Sequence, residues 1–185
     1  MASGNEKRQL DKPMKWFWKY FPIRIKNVGE SDKANRQKIF DFKDGRNCDE
    51  AAQLTADYMI GEYGEDCENI VFSTIPASSS EKNNIRFKAF CEKVCQLTGA
   101  INGFPHIQVQ EDRKCIHKNR RKEDAIRESE NCSIDTEWFK GKRVICADDV
   151  VTKGLSYARF ADNLESIGAI VLGGAFLART HYRVS

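Results

Sequence analysis

An α/β fold with a mostly parallel central sheet flanked by helices is predicted by three observations. Two short runs, Asn69–Ile75 and Val144–Ala147, are apolar without alternating, as strands covered on both faces are. A third run, Ala169–Ala178, is apolar and contains glycine. Stretches with helical spacing of apolar residues separate these runs, and strand, helix and strand in succession make a right-handed parallel crossover.

The first dozen residues are polar, and residues 1–12 are expected to be loose. Residues 13–48 begin with Trp16-Phe17-Trp18-Lys19-Tyr20-Phe21-Pro22, five aromatics within six positions. That is too much apolar surface to leave in water, so an arm packed across the domain or against a second copy is expected. A base-stacking platform is the alternative, with Lys15, Lys19, Arg24 and Lys26 nearby. Lys33–Phe42 reads as a short helix or a helix–strand segment, closed by the turn signal at Asp44-Gly45. Ala51, Ala52, Leu54, Tyr58, Met59 and Tyr63 recur at helical spacing, and Gly64 ends that helix.

Asn69–Ile75 is the first core strand, and it runs into Pro76-Ala77-Ser78-Ser79-Ser80. A strand that ends in a small, hydroxyl-rich loop is a ligand position in open α/β sheets, where ligands sit beyond the carboxyl ends of strands. A helix from Arg86 to Leu97 follows, stopped by Gly99, and then a short strand at Ile107–Gln110. The run from Arg113 to Arg127 is strongly basic. It reads either as a solvated face, as a flap over an anionic ligand with Arg113, Arg120 and Arg121 in contact, or as a nucleic-acid backbone contact.

The whole chain has 185 residues and is 41% hydrophobic, which suits one domain with a proper core. A formal charge of +3 is too small to demand a nucleic-acid partner. The seven cysteines include no Cys-x-x-Cys pair of the zinc-binding kind, and they read as reduced thiols of a cytoplasmic protein. No run is long enough to span a membrane, and the N-terminus lacks the apolar stretch of a signal peptide.

The chemistry concentrates in Val144–Ser156, Val-Ile-Cys-Ala-Asp-Asp-Val-Val-Thr-Lys-Gly-Leu-Ser. Asp148 and Asp149 sit where the strand is expected to end. Thr152, Lys153, Gly154, Leu155 and Ser156 then turn the chain into a helix running to about Ile167. Free backbone N–H groups at a helix start, a glycine for close approach and two hydroxyls make a phosphate cradle. Acceptors for sugar hydroxyls beside donors for a phosphate suit a ribose 5-phosphate.

This stretch resembles the phosphoribosyl pyrophosphate signature of type I phosphoribosyltransferases: an apolar strand, two acidic residues, two apolar residues, then Thr-x-Gly-x-Thr/Ser. Over roughly three quarters of the chain the order also resembles ComF-type phosphoribosyltransferase-like proteins. The matching pieces are Phe42-Lys43-Asp44-Gly45, Ile75-Pro76-Ala77-Ser78, Arg86-Phe87, the Arg113–Arg121 stretch, the signature, and Leu177-Ala178-Arg179-Thr180. Three departures stand out: the four-cysteine zinc module of that family is missing, the loop after Pro76 is less basic, and Lys153 stands where Thr, Ser or Ala is common. Thr152 replaces the aspartate that serves as base in hypoxanthine-type enzymes, which disfavours purine salvage by that route.

The resemblance implies a Rossmann-like phosphoribosyltransferase domain over residues 13–185, with a basic flap or hood over residues 100–140. It implies phosphoribosyl pyrophosphate and Mg²⁺ as ligands. Asp148 and Asp149 would accept from the ribose hydroxyls and order the metal's waters, and they would be the catalytic pair. Val151, Thr152, Lys153, Gly154, Leu155 and Ser156 would hold the 5-phosphate. Ala77, Ser78, Ser79 and Arg86 would face the pyrophosphate. The transferase reading requires an unidentified nitrogenous acceptor. The competing readings are a non-catalytic ligand sensor, a module for DNA uptake or processing with single-stranded DNA or a competence-type protein as partner, and a scaffold. Homodimerisation through the aromatic arm is a further expectation.

Overall fold

A computed structural model describes residues 4–109 and 132–183. The chain opens with α1 (Gly4–Leu10), β1 (Met14–Tyr20), α2 (Glu30–Lys43) and α3 (Cys48–Tyr63). β2 (Ile70–Thr74) leads into three consecutive helical segments: α4 (Ser80–Asn83), a π turn (Asn84–Lys88) and α5 (Ala89–Thr98). β3 (Ile101–Asn102), β4 (Ile107–Val109), β5 (Cys132–Ile134) and α6 (Thr136–Phe139) follow. The last unit is β6 (Arg143–Val151), α7 (Leu155–Ser166) and β7 (Ile170–Thr180).

The central sheet has the order β1-β7-β6-β2-β3, and every neighbouring pair in it is parallel. β4 and β5 form a separate antiparallel pair, with Ile107 opposite Ile134. Side chains alternate faces along a strand, so β6 feeds two cores. Ile145 and Ala147 pack with Phe72, Phe42, Phe87 and Phe90 beneath α2, α3 and α5. Val144 and Cys146 pack with Val71, Tyr157, Phe160 and Leu164 beneath α7. Coverage on both faces is why these strands read as continuous apolar runs.

The aromatic stretch, expected as an arm packed across the domain or against a second copy, forms the edge strand of the sheet. β1 pairs with β7, Trp16 opposite Phe176 and Trp18 opposite Ala178. Trp18 is buried, with the Lys38 ammonium 5.1 Å from its ring centre. The polar segment before it, expected to be loose, contains a helix laid on α7. Its polar residues meet partners far along the chain: Glu165 accepts from Arg8 at 2.8 Å, from Gln9 at 2.7 Å, and from Lys12. α2 is helical throughout, with no strand portion.

Gly173 lies where Pro13 crosses β7, and a Cβ there would stand 2.3 Å from the Pro13 carbonyl oxygen. The obstacle is backbone, so it cannot swing away. Gly173→Ala is therefore expected to destabilise the fold by about 1–3 kcal/mol, as overpacking does. Urea denaturation would measure it; an unchanged midpoint would show that the β1–β7 junction has room.

Candidate active site

The sheet order reverses between β2 and β6. β2 continues through α4 and α5 to β3 on its outer side, while β6 continues through α7 to β7 in the other direction. A crevice opens at such a reversal, beyond the strand ends, and ligands bind there in open α/β sheets. Both ligand loops expected from the sequence leave the sheet at this point: 75–79 after β2, and 152–154 after β6.

β6 does not end at the aspartates. Its pairing with β2 stops at Ala147, where the Ile75 N–H donates to the Ala147 carbonyl at 2.8 Å. Its pairing with β7 continues to Val151 opposite Arg179. Asp148 and Asp149 therefore stand where β6 emerges beyond β2, still held by β7 on the other side. Being consecutive strand residues, they serve opposite faces.

Asp149 is buried and lies on the α2 side. Arg86 Nη1 is 2.8 Å from its Oδ2, and Lys43 Nζ is 3.8 Å away. Asp149 Oδ2 and Arg86 Nε are both buried without a hydrogen-bond partner among the described residues. Buried polar atoms are normally satisfied, and those that are not mark strain or a place for a ligand. Arg86 sits in the π turn, a helix irregularity frequent at functional sites.

Asp148 faces the α7 side and is partly exposed. Its Oδ1 accepts from the Asp149 N–H at 2.7 Å. Enclosure by the protein, and then the neighbouring Asp149 charge, push its carboxyl well above the usual aspartate range; the Asp149 N–H, Arg86 and Lys43 oppose this only partly.

The turn after β6 opens α7 with a glycine. Gly154 has φ +72°, a left-handed conformation that favours glycine, and it caps the start of α7. Thr152, Lys153 and Ser156 are exposed, and Thr152 Oγ1 shares a 2.8 Å hydrogen bond with Thr180 Oγ1. Asp148, Val150–Tyr157, Arg159 and Phe176 line one cavity of about 290 Å³. Of the residues assigned to the 5-phosphate, Val151 is the last residue of β6 and is buried, whereas Thr152–Ser156 form the cavity rim.

The loop after β2 is tied internally. The Ala77 N–H donates to buried Asn83 Oδ1 at 2.9 Å, and Ser79 caps α4 by accepting from the Lys82 N–H at 3.3 Å. Ser78 lies between them. Of the four residues expected to face a pyrophosphate, Arg86 contacts Asp149 of the aspartate pair. Arg113, Arg120 and Arg121 lie outside the described residues. A second cavity, of about 330 Å³, lies between the start of this helix and β4, with the amides of Asn83, Asn84 and Gln108 in its wall.

Among the described residues no group of three or more His, Cys, Asp or Glu gathers as a metal site. Asp148 and Asp149 suit a magnesium ion held through water and ligand oxygens, since that ion keeps much of its hydration shell. Cys48, Cys67, Cys91, Cys95 and Cys146 are unpaired thiols. Among the described residues no helix is long and apolar enough to cross a membrane.

Sequence reasoning did not assign Lys43, Asn83 or Arg159 to the site. Lys43 had a signal, because Lys43-Asp44-Gly45 was part of the family resemblance. Asn83 and Arg159 had none. No protein-family model matches the chain, and no curated protein matches it.

Asp148→Asn keeps the acceptor for the Asp149 N–H and removes the costly charge. It is expected to be more stable than wild type at neutral pH. The advantage should shrink on acidification and be gone only below about pH 3, under the ordinary aspartate value, where wild-type Asp148 is protonated in both folded and unfolded chains. Thermal melts across that range would test this, and a less stable Asn variant at pH 7 would refute it. Arg86→Gln does the opposite: it strips the buried Asp149 of its closest cation and should cost about 3 kcal/mol at neutral pH. Chemical denaturation measures that loss, and a loss below about 1 kcal/mol, the worth of a surface pair, would show the contact to be one.

Proposed function

We propose that the chain is a phosphoribosyltransferase-like protein that binds phosphoribosyl pyrophosphate with magnesium and transfers the phosphoribosyl group to a nitrogenous acceptor. The observation carrying this reading is that a carboxylate and a glycine turn share one small cavity where β6, a strand flanking the switch point of a parallel sheet, leaves that sheet. The cavity is at the small end for ligand sites, which suits a sugar phosphate rather than a dinucleotide.

In this reading the N–H groups and hydroxyls of Thr152–Ser156 bind the 5-phosphate at the α7 N-terminus. Asp148 and Asp149 accept hydrogen bonds from the ribose hydroxyls and from water around the metal. Magnesium supplies charge neutralisation for the departing diphosphate. Arg86 and Lys43 are described cations within ion-pair range of Asp149, and they offset the charge gathered there. The anomeric C–O bond to pyrophosphate breaks, with the electron pair leaving on pyrophosphate. A C–N bond forms to the acceptor, whose proton passes to solvent. Protein groups mainly position the reactants and stabilise charge. The amide-lined cavity beside the 75–79 loop offers both donors and acceptors for a nitrogenous ring.

Calorimetric titration with phosphoribosyl pyrophosphate, with and without magnesium, tests this directly. Wild type should bind in a magnesium-dependent manner. Asp149→Asn, checked for folding by a thermal melt, should lose at least about tenfold in affinity, as a charge-assisted hydrogen bond is worth. Wild type that takes up no ligand would sink the reading and direct attention to nucleic-acid or protein partners.

A further inference from the structure

Arg159 is the arginine in the wall of the signature cavity, projecting from the first turns of α7 beside Thr152–Ser156. It does not face that cavity unopposed. Its Nε donates to Glu6 Oε1 of α1 at 3.0 Å. Both partners are partly withdrawn from water, the Glu6 side chain 15% exposed and that of Arg159 31%. α1 also touches the turn itself: a Cβ added to Gly154 would lie 2.7 Å from Leu10 Cδ2. The helix is fixed in this position by the Arg8, Gln9 and Lys12 bonds to Glu165. Thus one short N-terminal helix contacts both a cation of the cavity and its glycine turn.

We infer that Arg159 is a phosphate-binding residue of this cavity and that Glu6 is a built-in competitor for it, so that α1 sets the affinity of the phosphate corner. The inference rests on the cavity being the phosphate site of the function proposed above. A carboxylate at 3.0 Å offsets most of the guanidinium's charge and weakens its pull on a second anion. A phosphate monoester carries more charge than a carboxylate and three acceptor oxygens, so it draws the guanidinium from Glu6. Linkage makes the effect reciprocal: phosphate bound at the turn loosens the hold of α1 on α7.

The experiment titrates inorganic phosphate and ribose 5-phosphate into wild type, Glu6→Gln, Arg159→Gln and the double variant, each checked by a thermal melt. Glu6→Gln should bind both about fivefold more tightly, the scale of a partly exposed ion pair. Arg159→Gln should bind about tenfold more weakly than wild type, and Glu6→Gln should add nothing to it. A packing role for Glu6 could lower stability but would not raise phosphate affinity. Phosphate binding unchanged or weakened in Glu6→Gln overturns the inference, as does no binding by either wild type or Glu6→Gln. Should Arg159→Gln fail to fold, Arg159→Lys, with charge but no fork, is expected to fall between it and wild type, and wild-type affinity in it would count against the assignment. Inorganic phosphate reads this corner alone. A phosphate response of the expected kind without magnesium-dependent binding of phosphoribosyl pyrophosphate would therefore reject the sugar reading and leave the inference standing.

Discussion

Two adjacent carboxylates on a largely buried strand are the constraint around which the rest of this molecule is arranged. Such groups are costly to take out of water, and more so side by side. The chain meets the cost unequally on the two faces of β6. Asp149 receives Arg86 and Lys43, contributed by the π turn and by the last turn of α2. Asp148 receives one backbone N–H and a partly open cavity. A fold selected for stability alone would place apolar residues here, as it does at Val144 to Ala147 on the same strand. The conflict between local cost and retained charge is the usual mark of a site kept for chemistry.

The pairing geometry explains how the carboxylates can be buried and still reachable. β6 outruns β2 by four residues, from Asp148 to Val151, and β7 supports it throughout. One side of the protruding segment is thus hydrogen bonded and rigid, while the other opens on the crevice between the two loops. A terminal loop could expose the same side chains but would not fix their directions. Strand alternation sends one aspartate to each face, so the pair can address two parts of one ligand, or a ligand and its metal waters, without competing for the same position.

Much of this was legible in the sequence because it is local. Val144–Ala147, Asn69–Ile75 and the helices ending at Gly64 and Gly99 carry continuous apolar runs, periodicity and stop residues within a few positions. The two loops that leave the sheet at its switch point followed from strand ends and small residues. What escaped depends on contacts between distant residues. Trp16–Tyr20 becomes a strand because β7 offers it an open edge more than 150 positions later, and an isolated aromatic run cannot announce that. The polar residues of α1 read as solvated because Glu165 and Arg159 are equally remote. The contact that the π turn gives Arg86 with Asp149 is likewise long-range, joining residues more than sixty positions apart.

These long-range elements also decide how the site is walled. β1 completes the sheet beside β7, and Pro13 locks its start by accepting from the Gly174 N–H at 2.9 Å. That anchor fixes where α1 must turn back, and α1 then lies against α7 with Leu10 at the Gly154 turn. The N-terminal twenty residues therefore act twice: as an edge strand they cover apolar surface, and as a helix they border the cavity that the signature residues make. The glycine turn and the arginine that line that cavity are held from behind by Leu10 and Glu6. The shape of the turn after β6 is accordingly a property of the whole sheet and of the helix packed on it, and a thirteen-residue motif by itself does not determine it.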